Sequence, residues 1–251
     1  MKITRILAAA SAMVALASSL ALATPSTQIW IPSTDVRGFK EIHVDIDNYI
    51  RFSSASDAGV NTFDIGATVG VLPFEKFKLE VGVDFLTDNT AGSLASQHPG
   101  YLNFKAGLPE DAFFKGMPAV AAGMFGINTA SDPLSANIAY GLIAKTFPVI
   151  GRISVGGYNG AERSLGAKTN NGVLASWDRT MSEISDKLWL AVDYMGGNNA
   201  LGAVTVGGSW AFTPNVSLIV GANVYNPLYD PKGAGLPGGK PTFTTQLDIN
   251  F

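Results

Sequence analysis

Two histidines and no cysteine leave this chain few routes to covalent or metal chemistry. His43 stands in the row Glu41-x-His43-x-Asp45-x-Asp47, an imidazole among carboxylates at every second position. Histidine with carboxylates is the usual material of general acid–base catalysis and of metal sites. On an extended strand, however, side chains two positions apart stand roughly 7 Å apart, too far for the direct contacts of a triad. The spacing therefore favours a ladder of charge along one strand face. His98, before Pro99, reads as a solvated loop residue. No phosphate-cradling glycine loop or calcium-loop pattern occurs. The absence of cysteine excludes disulfide scaffolds, thiolate zinc sites and cysteine nucleophiles. The sequence thus implies no catalytic residue, no metal and no cofactor.

The elements that must carry this row are strands. In Phe39–Phe52 the even positions Ile42, Val44, Ile46, Ile50 and Phe52 are apolar, while Glu41, His43, Asp45, Asp47 and Arg51 alternate with them. This is period two, the mark of a half-buried strand. The same alternation runs through Phe63–Val71 and Phe77–Phe85. Carried along the chain, it predicts twelve strands near 39–52, 61–72, 77–86, 101–108, 118–127, 137–147, 152–158, 172–180, 187–195, 201–212, 216–226 and 242–251. The fifth to eighth alternate least cleanly. Most lengths suit a tilted membrane-spanning strand of about 9–11 residues.

Connections alternate as well. Those after even-numbered strands, such as Pro73–Lys76 and Thr213–Asn215, are mostly short; those after odd-numbered ones, such as Thr87–Gly100 and Pro227–Pro241, are mostly long and rich in turn formers. Short turns at one end and long loops at the other are the pattern of transmembrane barrels. Hydrocarbon offers no partner for an open sheet edge, so such a sheet must close on itself. The expected fold is all-β: a closed antiparallel transmembrane β-barrel of twelve strands, with short periplasmic turns and long extracellular loops. Aromatic residues fall at both strand ends, Phe52, Phe63, Phe85 and Phe243 at one and Phe77, Trp177, Trp210, Phe212 and Phe251 at the other, as interfacial belts require.

Composition agrees. The 251 residues are 47% hydrophobic and only 15% charged, with mean hydropathy +0.21 and a pI near 5.3. Soluble domains carry nearer a quarter charged residues. No Lys/Arg-rich run exists to neutralise phosphates, which argues against nucleic acid. Lys2 and Arg5, the uncharged stretch Ile6–Leu22 and the small-x-small triplet Ala21-Leu22-Ala23 read as a signal peptide over 1–23. Residues 24–38 are a periplasmic segment with two readings: a tether, or a plug entering the lumen with Trp30 as its anchor. The barrel then occupies 39–251.

The chain ends Thr244-Thr-Gln-Leu247-Asp-Ile249-Asn-Phe251. A terminal Phe preceded by apolar residues at alternate positions resembles the C-terminal assembly signal of bacterial outer-membrane β-barrel proteins. Leu247, Ile249 and Phe251 carry the match; Gln246 departs from it, standing where the pattern often has Gly. The resemblance implies the outer membrane of a Gram-negative bacterium as location. Its implied partners are outer-membrane lipid, lipopolysaccharide and the barrel assembly machinery; association with further copies or a partner protein stays open. The His-x-Ser arrangement of outer-membrane phospholipases is missing, since residues 43–45 read His-Val-Asp and 98–100 His-Pro-Gly. Asp45 and Asp47 lie too low for the rim carboxylates of omptin-like proteases.

On the polar faces, the sequence places Asp45, Asp47, Arg51, Asp64, Lys78, Glu80, Asp84, Lys105 and Asp193 along the lumen, with Lys145, Arg152 and Lys187 as further bases. Lys105 is expected diagonally between Glu80 and Asp84. Acids outnumber bases, and a low-dielectric wall focuses that charge on enclosed water. Two functions follow: a porin-like channel for passive diffusion of small polar solutes or ions, with modest cation preference set in the middle and outer lumen, or a non-conducting structural, adhesive or complex-forming barrel. A barrel enzyme is the weaker third.

Overall fold

A computed structural model describes residues 26–55, 58–88, 100–129, 135–166, 168–226 and 239–251; the signal-like segment and His98 lie outside them. The strands are β1 (Ile42–Arg51), β2 (Thr62–Gly70), β3 (Lys78–Asp88), β4 (Gly100–Leu108), β5 (Ala119–Ile127), β6 (Ile138–Phe147), β7 (Gly151–Asn159), β8 (Asn171–Thr180), β9 (Leu188–Met195), β10 (Ala203–Thr213), β11 (Val216–Tyr225) and β12 (Thr242–Asn250). Each pairs antiparallel with its neighbour in the chain, and β1 pairs with β12 to close the barrel. Every expected segment overlaps one of these strands. Alternation was sufficient because it fixes which residues face the lumen before any contact forms.

The register sorts the two faces. On β1 His43 and Tyr49 are buried, whereas Ile42, Ile46 and Ile50 are exposed. On β10 Thr205 and Ser209 are buried and Val204, Val206, Trp210 and Phe212 exposed. Large apolar side chains outside and polar ones inside invert the arrangement of a soluble barrel. Phe52, Phe63 and Phe85 are exposed at the loop end, and Phe77, Trp210, Phe212 and Phe251 at the turn end. Phe52 and Phe243 stack edge-to-face across the β1–β12 closure, 6.3 Å apart. The C-terminus completes that seam: Val44 pairs with Ile249 and Ile46 with Leu247, while Phe251 exchanges backbone hydrogen bonds with Ile42.

Toward the loop end the lumen also holds an apolar core. Tyr101, Ile138, Leu142, Tyr158, Leu174 and Met195 project from strands into a cluster with Ala136, Ala200 and Leu201. A short helix, α1 (Glu162–Leu165), folds in from the β7–β8 loop and adds Leu165 to it. Several inward positions of β5 to β8 are therefore apolar like the outward ones, which explains the weak alternation there. One lumenal assignment fails: on β6 the buried positions are Ile138, Leu142 and Ala144, so Lys145 lies on the opposite face. Its ammonium pairs instead with Glu110, at 2.8 Å, in the β4–β5 turn.

A closed sheet of this kind predicts a β-type circular dichroism spectrum in detergent and faster electrophoretic migration before boiling than after. A helical spectrum, or migration unchanged by heat, would contradict the fold.

Candidate functional site

The N-terminal segment lies inside the barrel. Residues 28–31 form a tight turn in which the Gln28 amide donates to the Ile31 carbonyl at 2.7 Å, and Thr27 pairs with Pro32 across it. A turn placed in a lumen must satisfy its backbone groups or lose about 1–3 kcal/mol for each one buried unpaired. Asp193 does most of this. Its Oδ2 accepts from the amides of both Ile29, at 2.9 Å, and Trp30, at 2.8 Å. Gln246 donates from Nε2 to the Ile29 carbonyl at 2.7 Å, and Gln28 donates to Asp178 at 3.0 Å. Lys105 donates to the Ser26 carbonyl at 2.5 Å.

Side chains complete the seat. Ile29 packs against Ala191, Ile219 and Trp189. It approaches so closely that a Cβ on Gly207 would stand 3.1 Å from its Cδ1, and one on Gly221 3.4 Å from its Cγ2. Trp30 stands edge-on to Tyr49 and Tyr225, at 5.1 and 5.8 Å, and its indole donates to the Leu201 carbonyl at 2.8 Å. Ile31 joins the apolar core. Returning toward the turn end, Asp35 pairs with Arg152 at 2.7 Å, and Arg152 with Asp178 at 2.9 Å. The Arg37 amide donates to Glu80 at 2.7 Å, and its guanidinium donates to Asn250 at 2.8 Å. The segment thus runs through the lumen on contacts from several strands.

The residues expected along the lumen divide into three groups. The first holds the plug or closes ion pairs. Asp193 belongs here, as do Glu80 and Lys105, which stand directly opposite in register. Their contact is 3.1 Å, both side chains buried; the diagonal placement of Lys105, opposite position 82, is corrected by a two-residue difference in register. Glu80 therefore offers no unpaired charge to a passing ion. The second group sits at the ends. Arg51 lies 5.1 Å from the Tyr225 ring and donates to the carbonyls of Val60 and Lys240, tying two loop-side stretches together. Lys78 lines a turn-side cavity with Arg37 and Glu41.

The third group is a cluster of carboxylates. Asp47 faces Asp64 across β1 and β2. Asp45 and Asp84 flank Gly66, where a Cβ would stand 2.6 Å from one carboxylate and 2.8 Å from the other. Asp248 lies beside Asp45 on β12. His43 reaches Asp45 at 3.6 Å and Asp248 at 3.5 Å, because side chains lean along the strand; the spacing rule had separated them. Asn103 donates to Asp84 at 2.9 Å. Among the described residues no group of three or more His, Asp or Glu side chains has the arrangement to hold a metal ion.

Two cavities border the N-terminal segment, and a third lies beside its partners Arg152 and Asp178. One of about 230 Å³ extends toward the loop end between the carboxylates and the apolar core, with Trp30 in its wall. Two others, of about 450 and 580 Å³, open at the turn end, the first lined by Arg152, Asp178 and Lys187 and the second by Asp35, Arg37 and Glu41. Sequence reading missed Gln28, Asp178 and Gln246 as plug contacts. The departure of Gln246 from the usual Gly of the C-terminal pattern was the available signal.

No family model matches the sequence, and no curated protein matches it. Among solved structures the chain is similar to the COG4313 outer membrane channel from Pseudomonas putida F1, with 12% identity and a TM-score of 0.48 over 86% of this chain and 97% of that one. It is also similar to the Acinetobacter baumannii outer membrane protein Omp33, with 10% identity and a TM-score of 0.41 over 84% and 97%. Outer membrane phospholipase A from Escherichia coli follows, with 11% identity and a TM-score of 0.42 over 85% and 92%.

Two substitutions test the seat. Asp193→Ala strands two buried amides, so tryptic cleavage after Arg37 in the folded protein should quicken at least tenfold. An unchanged rate would mean that Asp193 does not hold the plug. Lys105→Met leaves Glu80 buried without its partner and should cost about 3–5 kcal/mol in unfolding experiments. Most of that should return in Lys105→Met/Glu80→Gln, which removes the buried charge and keeps an acceptor for the Arg37 amide, and a double variant no more stable than the single one would contradict the pairing.

Proposed function

We propose that this protein is an outer-membrane channel for small polar solutes or ions, with modest cation preference, held closed by its N-terminal segment. The membrane assignment is supported by the closed sheet, the exposed apolar outer face and the aromatic residues at both ends. One observation carries the channel reading: the plug lies between the loop-side cavity, which Ile29 and Trp30 line, and a turn-side cavity, which Asp35 and Arg37 line, and is held there by hydrogen bonds and ion pairs. Withdrawing it joins spaces that already exist.

Selectivity in this reading comes from Asp45, Asp47, Asp64 and Asp84, which contribute negative charge that the Glu80–Lys105 pair does not. Rings of carboxylate favour cations in other pores for the same Coulombic reason, and added salt weakens the preference by screening. A non-conducting barrel is the second reading, favoured by the apolar packing of Ile31, Tyr158 and Leu165 inside the lumen.

Planar-bilayer recording separates the two. The intact protein should conduct rarely or in brief openings, and removal of residues 26–34 should give steady conductance with a cation-selective reversal potential in a salt gradient. Replacing Asp45, Asp47 and Asp64 by Asn in that background should move the potential toward anions. A folded deletion variant that stays silent would overturn the channel, and an unmoved potential in the conducting triple variant would remove these residues from the path.

A further inference from the structure

Asp47 and Asp64 stand directly opposite on adjacent strands, an arrangement that destabilises a sheet when both are charged and nothing lies between them. Each keeps one carboxylate oxygen, Oδ1, cut off from solvent and without a hydrogen-bond partner. Nearby basic side chains have partners of their own: Lys105 with Glu80 and Ser26, Arg37 through Nη1 with Asn250, and His43 with Asp45, Asp248 and Asn250. The loop-side cavity of about 230 Å³ is bounded by these two carboxylates on one side. The lining also includes Trp30, Leu86, Tyr101, Phe125 and Tyr140, with Leu86 directly opposite Asp64 on the adjacent strand.

A buried carboxylate oxygen without a donor is costly. Neither Oδ1 opens onto the cavity, but both residues are only half-buried and line it, so a molecule held there can donate to the remaining edge of each carboxylate. A compact metal ion does not fit the arrangement, since no three carboxylate or imidazole groups among the described residues come together as ligands. A primary ammonium does, because its three N–H groups can be shared between two facing carboxylates. The rest of the lining then asks for an apolar or aromatic body, and its aromatic side chains offer faces and edges to it.

We propose that the loop-side cavity is a binding site for a small organic ammonium with an apolar or aromatic body, its nitrogen between Asp47 and Asp64 and its body against Trp30, Tyr101 and Phe125. This deepens the cation-preferring reading above by naming the class of cation, and it rests on that reading for its role in transport but not for binding itself.

The test is calorimetric titration of the full-length protein in detergent with phenethylammonium, 2-phenylethanol and Mg²⁺ separately. Phenethylammonium should bind saturably at one site per barrel, and the neutral alcohol of the same shape at least tenfold more weakly. Asp47→Asn/Asp64→Asn should weaken phenethylammonium at least tenfold. Leu86→Trp, which fills the cavity without changing any charge, should do the same, with heat-modifiable migration confirming that each variant is folded. No binding, equal affinity for the alcohol, affinity retained in either folded variant, or displacement of phenethylammonium by stoichiometric Mg²⁺ would overturn the assignment. Because binding is read without conductance, a silent barrel that binds the amine keeps this inference and loses the channel; a conducting barrel that does not bind it does the reverse.

Discussion

A closed sheet of twelve strands encloses more space than a single layer of inward side chains fills, since barrel diameter grows with strand number. Most of what lies inside this molecule answers to that constraint. One sector is filled by an apolar core, to which the β7–β8 loop contributes α1 and Leu165. The remainder takes the chain's own N-terminal segment, and because that segment arrives with backbone groups needing partners, the wall beside it is polar. Asp193, Gln246 and Asp178 are the inward residues that meet those needs.

The small residues of the wall follow from the same geometry. Gly207 and Gly221 leave the hollow that Ile29 occupies, and a Cβ on Gly70 would lie only 1.8 Å from the Gly38 carbonyl. Glycine in a strand interior costs stability for lack of a side chain to pack; here another stretch of backbone or side chain occupies the space that a Cβ would need. Gly66 serves the carboxylate cluster in the same way, leaving room for Asp45 and Asp84 to lean over it. Plug seat and charged cluster thus share one device, a gap in the wall that a neighbouring group enters.

Strands and their faces were legible in the sequence because period two acts locally: Ile42, Val44 and Ile46 alternate with His43, Asp45 and Asp47 whatever the rest of the chain does. Contents of the lumen were legible only in part. The weak alternation from β5 to β8 was visible, but the reason, a second apolar face packed into the lumen, needs Leu142, Leu174 and Tyr158 brought together from different strands. The same limit applies to Asp193. Its parity placed it inside, yet its role depends on amides more than 160 positions away in sequence. Glu80 and Lys105 differed from expectation by two residues of register, a shift that keeps every face and that no local pattern specifies.

The plug can be fixed in place directly, because the chain has no cysteine to interfere. Ile29→Cys with Gly221→Cys introduces a pair at a contact where the Cγ2 of Ile29 lies 3.4 Å from the position of a Cβ on residue 221, within the reach of a disulfide. Bilayer conductance of this variant, recorded oxidised and again after reduction, measures whether the segment seated on Asp193 gates the lumen. The account predicts that the disulfide forms in the folded barrel, that the oxidised protein shows no openings, and that reduction restores them. Failure to form the bond in folded protein, or equal conductance in both redox states, would contradict it.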